Sequence, residues 1–344
     1  PTLAGAQAAT GALLDACTAW DAAAASGADP AAAKANAQAA WWAAMTAWQA
    51  AEVMSIGPAA SSLTALGGES LRDEAYSWPS VNRCRVDQET VYENYAEEGF
   101  FDESLVNVYG LDALEVLLYS PGGENDCPGQ VDINADGSWD ALGVDGVERN
   151  RAAYALALAA HLHGTVSDLA TRWDPAAGNF GAQLATAGET GSIYESPQLA
   201  LNGVFDALFY LEITVKDRKL GYALGTGACA SESCLDDIES PLAGGSSAWI
   251  AENLAAFGTL YAGAEGAGID DLLVSIGEDD LAAAVDDALA GAKASALPAP
   301  LDASDPASVQ AHYDAVNVLT DLLKGDIATA LALQVPTEAA GDND

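Results

Sequence analysis

Two carboxylates lie three positions apart in the apolar segment "VYGLDALEVLLY", at residues 108–119. If the segment is helical, Asp112 and Glu115 share one face of the helix. Two ionised carboxylates this close repel each other, so either a cation lies beside them or the pKa of one of them is raised. The alternative interpretation is that the pair forms the solvated face of an ordinary helix.

The strongest feature of the composition is its negative charge. The 344 residues include 51 Asp and Glu against 12 Lys and Arg, which gives a formal net charge of −39. Such a surface repels phosphate backbones and anionic lipid, so nucleic acid is excluded as a partner and unassisted membrane docking is disfavoured. It attracts cations, and the alternatives are adaptation to a salty medium or dedicated cation capture.

No apolar segment reaches the roughly 18 to 20 residues that are needed to cross a bilayer. The most apolar candidate, residues 155–170, is interrupted by His161, His163 and Asp168 and is predicted to be an ordinary soluble helix. Half of the residues are apolar, so a packed core is expected. The sequence begins without Met or a signal-like segment, which favours a mature or trimmed chain.

Four of the five cysteines occur in pairs in predicted loops. We predict Cys84–Cys127 and Cys229–Cys234 disulfides and therefore an oxidising compartment, in the periplasm, anchored to the outer membrane, or secreted. Cys17 lies in an Ala-rich helix and is predicted to be a small buried thiol. No Cys/His cluster indicates structural zinc, and the sequence has only three His residues.

Helix signals follow one another along the chain, and no alternating strand pattern separates them. Three dipeptides combine an N-cap residue with proline at the first helical position, namely Asp29-Pro30, Ser196-Pro197 and Asp305-Pro306. The predicted fold class is all-α, with the helices arranged in bundles.

A faint internal repeat predicts two such bundles. The segment "GLDALEVLLY" at 110–119 is echoed by "GVFDALFYLE" at 203–212, and "AWQAAEV" at 47–53 is echoed more weakly by "AWIAENL" at 248–254. Both matches occur in the same order in each half. We therefore predict internal duplication, with a first bundle at 1–173 and a second at 174–344.

Several segments resemble the imelysin-like family in order and spacing. They are "AWWAAMTAWQAAEVMSIGP" at 40–58, "YSWPSVNRCRVD" at 76–87, "GLDALEVLLY", "DRKLGYALG" at 217–225 and "IESPLAGGSSAWIAENLAAFGTLYAG" at 238–263. The resemblance covers roughly residues 40–263 of the chain. It implies two helical bundles related by internal duplication, in agreement with the repeat.

The family motif is G-x-H-x-x-E, which gave some members a metallopeptidase label. Here the motif reads "GLDALE" at 110–115, so Asp112 takes the place of the His. Carboxylates suit calcium, magnesium, manganese or ferric iron better than zinc, and a hydrolytic zinc site also needs nitrogen donors. The resemblance therefore implies a functional site at Glu115, but the departure from the motif disfavours a working peptidase.

The resemblance also suggests partners for the pair, in a pocket between the two bundles. Arg218 in "DRKLG" could hold Asp112 and Glu115 ionised or clamp an anionic ligand. Further pocket candidates are Glu52, Glu239, Ser240 and Asn253. For each of these, helix capping or a surface ion pair is the alternative interpretation.

A separate cation site is predicted in "DINADGSWD" at 132–140. Oxygen-bearing side chains follow the spacing of a calcium loop around a glycine at the turn, and they are Asp132, Asn134, Asp136, Ser138 and Asp140. The final position, where a Glu would complete the loop, is Gly143, so Asp145 or Glu148 would have to replace it. The alternative is an acidic turn, and a structural calcium ion is favoured.

The predicted function is that of an imelysin-like binding protein of the cell envelope, which the resemblance links to the uptake of iron or another metal. Its ligand would be a metal ion or a small molecule, with iron or another hard cation in the pocket and an envelope transport protein as partner. The alternatives are a metallopeptidase and a structural or interaction protein with a vestigial site. The sequence leaves the oligomeric state open.

Overall fold

The protein is helical throughout the part of the chain that can be described. The computed structural model describes residues 2–227, 229 and 234–340, and these residues form α-helices, short 3-10 helices and two π-helices but no β-strand. The predicted all-α class is confirmed, whereas internal duplication stays a prediction. None of the helices in these ranges has the length and apolar composition that a membrane span requires.

The chain divides into two compact units. The first combines the residues up to Trp48 with Ser70–Arg172, and the second combines Gln49–Glu69 with the residues from Trp173 onward. The sequence predicted a first bundle at 1–173 and a second at 174–344, and these bounds stay a prediction. It did not indicate that residues 49–69 pack with the second unit.

The α-helices of the N-terminal half are Thr2–Ser26 (α1), Ala31–Glu52 (α2), Leu71–Ala75 (α3), Arg83–Tyr92 (α4), Phe100–Glu103 (α5), Leu111–Tyr119 (α6), Asp132–Ala135 (α7) and Ser138–Trp173 (α8). Short 3-10 helices lie at Gly57–Ala59, Asn94–Ala96 and Val106–Val108. The helix α8 is kinked at Gly143, whose φ of 62° and ψ of 172° are not helical.

The α-helices that follow are Gly181–Ala185 (α9), Pro197–Leu208 (α10), Gly221–Leu224 (α11), Ser246–Tyr261 (α12), Ile269–Ser275 (α13), Asp279–Ala294 (α14), Pro306–Leu322 (α15), Ala328–Ala330 (α16) and Thr337–Ala340 (α17). The π-helices are Leu211–Leu220 (π1) and Leu323–Ile327 (π2). Two more 3-10 helices lie at Leu235–Asp237 and Leu301–Ala303.

The predicted helix starts are formed by side-chain caps. Ser196 accepts a hydrogen bond from the Leu199 amide at the start of α10, and Asp305 accepts one from the Ser308 amide at the start of α15. In both helices proline occupies the first turn, where its missing amide proton is not needed.

Each unit has its own apolar interior. In the first unit Leu13, Trp20, Trp41 and Tyr154 are fully buried. In the second unit a continuous core joins side chains of α10, α12, α14 and α15 with those of both π-helices, and its members include Phe205, Phe257, Val285, Val316 and Leu323. These cores fix the elements that carry the polar side chains described below.

Both predicted disulfides are present, Cys84–Cys127 and Cys229–Cys234, and Cys17 is a free, buried thiol. The first disulfide lies beside a small apolar cluster of Ile133, Trp139 and Val147, against which Cys127 packs. It therefore ties the segment that follows α6 to α4.

We expect thiol labelling to distinguish these three groups of cysteines. Burial raises the pKa of the Cys17 thiol to about 12, so the native protein should react very slowly with an alkylating reagent. Denaturation without reductant should expose one reactive thiol, and denaturation with reductant should expose five. Mass spectrometry that finds several thiols in the unreduced protein from an oxidising compartment would contradict both disulfides.

Candidate functional site

Asp112 is a buried, hydrogen-bonded carboxyl group in the first turn of α6. Its Oδ2 accepts a hydrogen bond from the Ser77 hydroxyl at 2.8 Å, and its Oδ1 accepts one from the Ala113 amide at 3.0 Å. Burial raises the pKa of Asp112 to about 7, although these hydrogen bonds oppose the shift. The carboxyl group therefore gains or loses its proton near neutral pH.

The glycine before this helix is required by the position of the carboxyl group. Gly110 has a φ of +98°, which side chains rarely adopt. A Cβ atom at Gly110 would also lie only 2.8 Å from Oδ1 of Asp112 and 3.1 Å from the carbonyl oxygen of Ala75. Gly110 and Asp112 thus belong to one local arrangement.

Glu115 lies on the same helix and is also buried. Asp112 is 3% exposed and Glu115 is 5% exposed, so the pair is not a solvated helix face. Burial and, in addition, the neighbouring Glu115 charge raise the pKa of Tyr119 to about 12. Both carboxylates of "VYGLDALEVLLY" are therefore buried in the first unit, and a functional role for them stays a prediction.

A second buried polar group surrounds the ammonium of Lys219 on π1, and we call it the Lys219 cluster. The Nζ atom of Lys219 donates to Oε1 of Gln49 at 2.6 Å and to Oδ1 of Asn253 at 2.8 Å. It forms ion pairs with Oε1 of Glu239 at 3.0 Å and with Oε1 of Glu52 at 3.5 Å. All five residues of the cluster are at most 1% exposed.

The members of the Lys219 cluster also bond to one another. The Asn253 amide donates to the carbonyl oxygen and to Oε1 of Gln49, at 2.8 and 3.0 Å, and the Gln49 amide donates to Glu239 at 3.1 Å. The Tyr210 hydroxyl donates to Glu52. Because each buried charge needs several partners in a medium of low dielectric constant, the network fixes α2, π1 and α12 to one another.

A further ionic group, the Glu212 group, lies on the same π-helix. Glu212 and Lys216 are both fully buried with Nζ and Oε1 3.2 Å apart, and Lys324 on π2 also pairs with Glu212. Lys216 lies 3.3 Å from Oδ1 of Asp217. Segments of π-helix are frequent at functional sites, and this one carries two buried lysines.

The structure brings together three of the predicted pocket residues within the second unit. Glu52, Glu239 and Asn253 meet in the Lys219 cluster, and Ser240 follows Glu239 and accepts a hydrogen bond from the Trp249 indole at 2.9 Å. Arg218 is half-buried on π1. Asp112 and Glu115 belong to the first unit.

Sequence reasoning missed Lys219 and Gln49. Lys219 directly follows Arg218 in "DRKLG", and in a chain with only 12 basic residues two adjacent cations are a signal. Gln49 lies three positions before Glu52 in α2, so the two share a helix face. Only the folded structure shows that Gln49 and Glu52 both contact the ammonium of Lys219.

The predicted calcium-loop side chains have other roles in this structure. Asp132 begins α7, and the Asn134 amide donates to the Cys127 carbonyl oxygen at 2.8 Å. Asp136 accepts a hydrogen bond from the Ser138 amide at 2.9 Å, and its pKa is lowered mainly by this bond. Within the described ranges no three His, Cys, Asp or Glu side chains are grouped so that they could hold a metal ion. Calcium binding stays a prediction.

Comparison with known proteins identifies one family. The family model described as Peptidase_M75: Imelysin matches residues 4–328. No curated protein matches the sequence significantly.

Two solved structures resemble the protein in fold. An imelysin-like protein from Psychrobacter arcticum 273-4 superposes with a TM-score of 0.67 and 19% identity, over 98% of this chain and 92% of that one. A protein from Parabacteroides distasonis ATCC 8503, described as an iron-regulated protein A precursor, superposes with a TM-score of 0.68 and 16% identity, over 96% of this chain and 91% of that one. At these identities the likeness shows the fold alone.

The substitution Lys219→Met should destabilise the protein. It keeps much of the side-chain volume but leaves Glu52 and Glu239 buried without their cation, which typically costs about 3 to 5 kcal/mol. Arg172→Met, which breaks an exposed pair with Asp168, is the matched control and should cost less than about 1 kcal/mol. If denaturant unfolding gives both variants the same stability, the Lys219 cluster does not hold the second unit together.

The raised pKa of Asp112 predicts a pH-dependent stability. The folded protein holds this proton to about pH 7, whereas the unfolded chain releases it near 3.8, so the stabilising contribution is present in acid and is lost as pH rises. Relative to Asp112→Asn, the native protein should lose at most about 4 kcal/mol of unfolding free energy between pH 4 and 8. A difference between the two proteins that does not change with pH in calorimetry would show that Asp112 is ionised throughout.

Proposed function

Since the chain belongs to the imelysin family, we propose that it is an exported binding protein of the cell envelope, linked to the uptake of iron or another metal, and not a working peptidase. The observation that carries this proposal is the burial and hydrogen bonding of the Asp112 carboxyl group. At the family's histidine position the protein has a buried carboxyl group that already accepts hydrogen bonds from Ser77 and Ala113.

The chemistry of this position argues against zinc-dependent hydrolysis. Catalytic zinc sites use three protein ligands, commonly with histidine nitrogens, and keep a fourth position for water. Asp112 offers carboxylate oxygens. The Ser77 hydroxyl and the Ala113 amide already donate to these oxygens and would compete with a metal for the oxygen lone pairs. The motif Glu115 is retained, but a single glutamate does not make a hydrolytic zinc centre.

Three observations support the link to metal uptake and an exported location. One structural relative is described as an iron-regulated protein A precursor. The two disulfides are typical of an oxidising compartment. The net charge of −39 raises the local concentration of cations.

The pair of carboxylates would favour a hard cation over zinc. Calcium takes about six to eight oxygen ligands, and ferric iron also prefers oxygen donors. Asp112 and Glu115 could supply only some of these ligands. The remaining oxygens would come from solvent or from a ligand that carries the metal. A site of this kind binds and releases a metal more readily than it polarises a peptide bond.

Metal titration tests this proposal. After the purified protein has been stripped of metal, we expect ferric iron or calcium to bind more tightly than zinc, with no metal-dependent cleavage of peptides. The double substitution Asp112→Asn with Glu115→Gln keeps side-chain shape and should weaken binding of the hard cation by at least tenfold. Helical content, measured by circular dichroism, should stay the same.

The acidic segment at 132–140 provides the control for this experiment. Asp132→Asn with Asp136→Asn removes the same charge from the predicted calcium loop and should leave the motif site intact. If instead zinc stimulates proteolysis and Glu115→Gln abolishes it, the peptidase interpretation is correct. If the motif variant binds every metal as the parent does, the motif site has no role in metal binding.

A further inference from the structure

Arg218 is an exception among the basic residues of this acidic chain. Nine of the twelve Lys and Arg residues are at least partly buried, and eight of these nine pair with a carboxylate. The pairs are Lys34–Glu148, Arg72–Asp73, Arg83–Asp126, Arg85–Glu89, Arg151–Asp87, Lys216–Glu212, Lys219–Glu239 and Lys324–Glu212. The ninth is Arg218, whose guanidinium has neither an ion pair nor a hydrogen bond with any residue that the structure describes.

The nearest acidic residues along π1 and in the Lys219 cluster already have lysine partners. Asp217, the preceding residue, lies 3.3 Å from Nζ of Lys216. Glu52 and Glu239 pair with Lys219, the following residue. Among the acidic side chains that the structure describes, none pairs with this half-buried guanidinium, although the sequence is rich in Asp and Glu.

The backbone of π1 holds Arg218 in a fixed place. Lys216 and Lys219, on either side of it, are fully buried in the Glu212 group and in the Lys219 cluster. Gly227 packs closely against Asp217, the residue before Arg218. A Cβ atom at Gly227 would lie 2.6 Å from the Asp217 carbonyl oxygen. Arg218 therefore stands on an anchored segment while its own side chain stays partly open to solvent.

We propose that Arg218 binds an oxyanion, and that it recognises the carboxylate oxygens of an anionic ligand. A guanidinium presents parallel N–H donors that match two coplanar acceptor oxygens, and the backbone that carries this one is anchored by the buried lysines on either side. This inference rests on the proposed function in one respect, because a metal carried by a carboxylate chelator would bring its own oxygen ligands.

The overall charge of the protein restricts where an anion can bind. At physiological ionic strength charges are screened over about 8 Å, so most of the 51 acidic side chains act weakly at Arg218. A direct, bidentate contact survives this screening. Anion binding should therefore depend on this single guanidinium and should be detectable at about 0.15 M salt.

Calorimetric titration of the full chain with citrate, inorganic phosphate and ferric citrate tests the proposal. We expect citrate to bind, and Arg218→Gln to weaken it by about ten- to hundredfold, the usual effect of losing a hydrogen bond to a charged group. Arg218→Lys keeps the charge but loses the parallel N–H donors of the guanidinium. Its affinity for citrate should lie between that of the parent and that of Arg218→Gln. Arg149→Gln is the matched control, because Arg149 is exposed, and it should bind citrate as the parent does.

The outcomes separate this site from the proposed function. Binding of citrate and ferric citrate that Arg218→Gln weakens supports the oxyanion site, and a preference for the ferric chelate supports the metal-linked role as well. Citrate binding without that preference supports the site but counts against the metal link. Preference for phosphate over citrate would overturn the assignment to carboxylates. The site itself is overturned if the parent binds no anion, or if Arg218→Gln and Arg149→Gln behave alike with unchanged melting temperatures.

Discussion

The buried ammonium of Lys219 is the interaction on which the polar interior of the second unit depends. Oε1 of Glu239 and Oε1 of Glu52 lie 3.0 and 3.5 Å from its Nζ atom, and a cation at such distances offsets the cost of burying a carboxylate away from water. The amide oxygens of Gln49 and Asn253 complete the shell around the ammonium. Because Gln49 and Glu52 both lie on the last turn of α2, the same ammonium explains why residues 49–69 pack with the second unit.

The protein places several of its few cations inside, in both units. Arg151 is fully buried in the first unit, where it pairs with Asp87 and donates to the carbonyl oxygens of Pro121 and Glu124. It thereby fixes the segment that leads to the Cys84–Cys127 disulfide. Fewer cations are therefore exposed than the composition suggests, and within the described ranges Arg218 differs from the other buried or half-buried basic residues in having no carboxylate partner.

The features that the sequence predicted correctly depend on local pattern or on the family. Helix periodicity, N-cap residues followed by proline, and the spacing of loop cysteines each have a short-range cause, and the structure contains them. The Lys219 cluster has no such cause, because its hydrogen-bonded members are up to 204 positions apart and meet only in the folded chain. Local pattern leaves Asp136 open, since its carboxylate has calcium-loop spacing and also accepts a hydrogen bond from the Ser138 amide, so calcium binding there stays a prediction.

The family motif has a histidine where this chain has Asp112. The two side chains differ in the charge that they carry when ionised, positive for histidine and negative for Asp112. Histidine ordinarily titrates near pH 6.5, and burial raises the pKa of Asp112 to about 7. Below neutrality a histidine would become a cation, whereas Asp112 becomes neutral; above neutrality the histidine would be neutral, whereas Asp112 is an anion. Asp112 therefore never places a positive charge beside Glu115, whereas a protonated histidine would. Above its pKa the Asp112 carboxylate adds a negative charge to the first turn of α6, whereas a neutral histidine would add only a nitrogen lone pair.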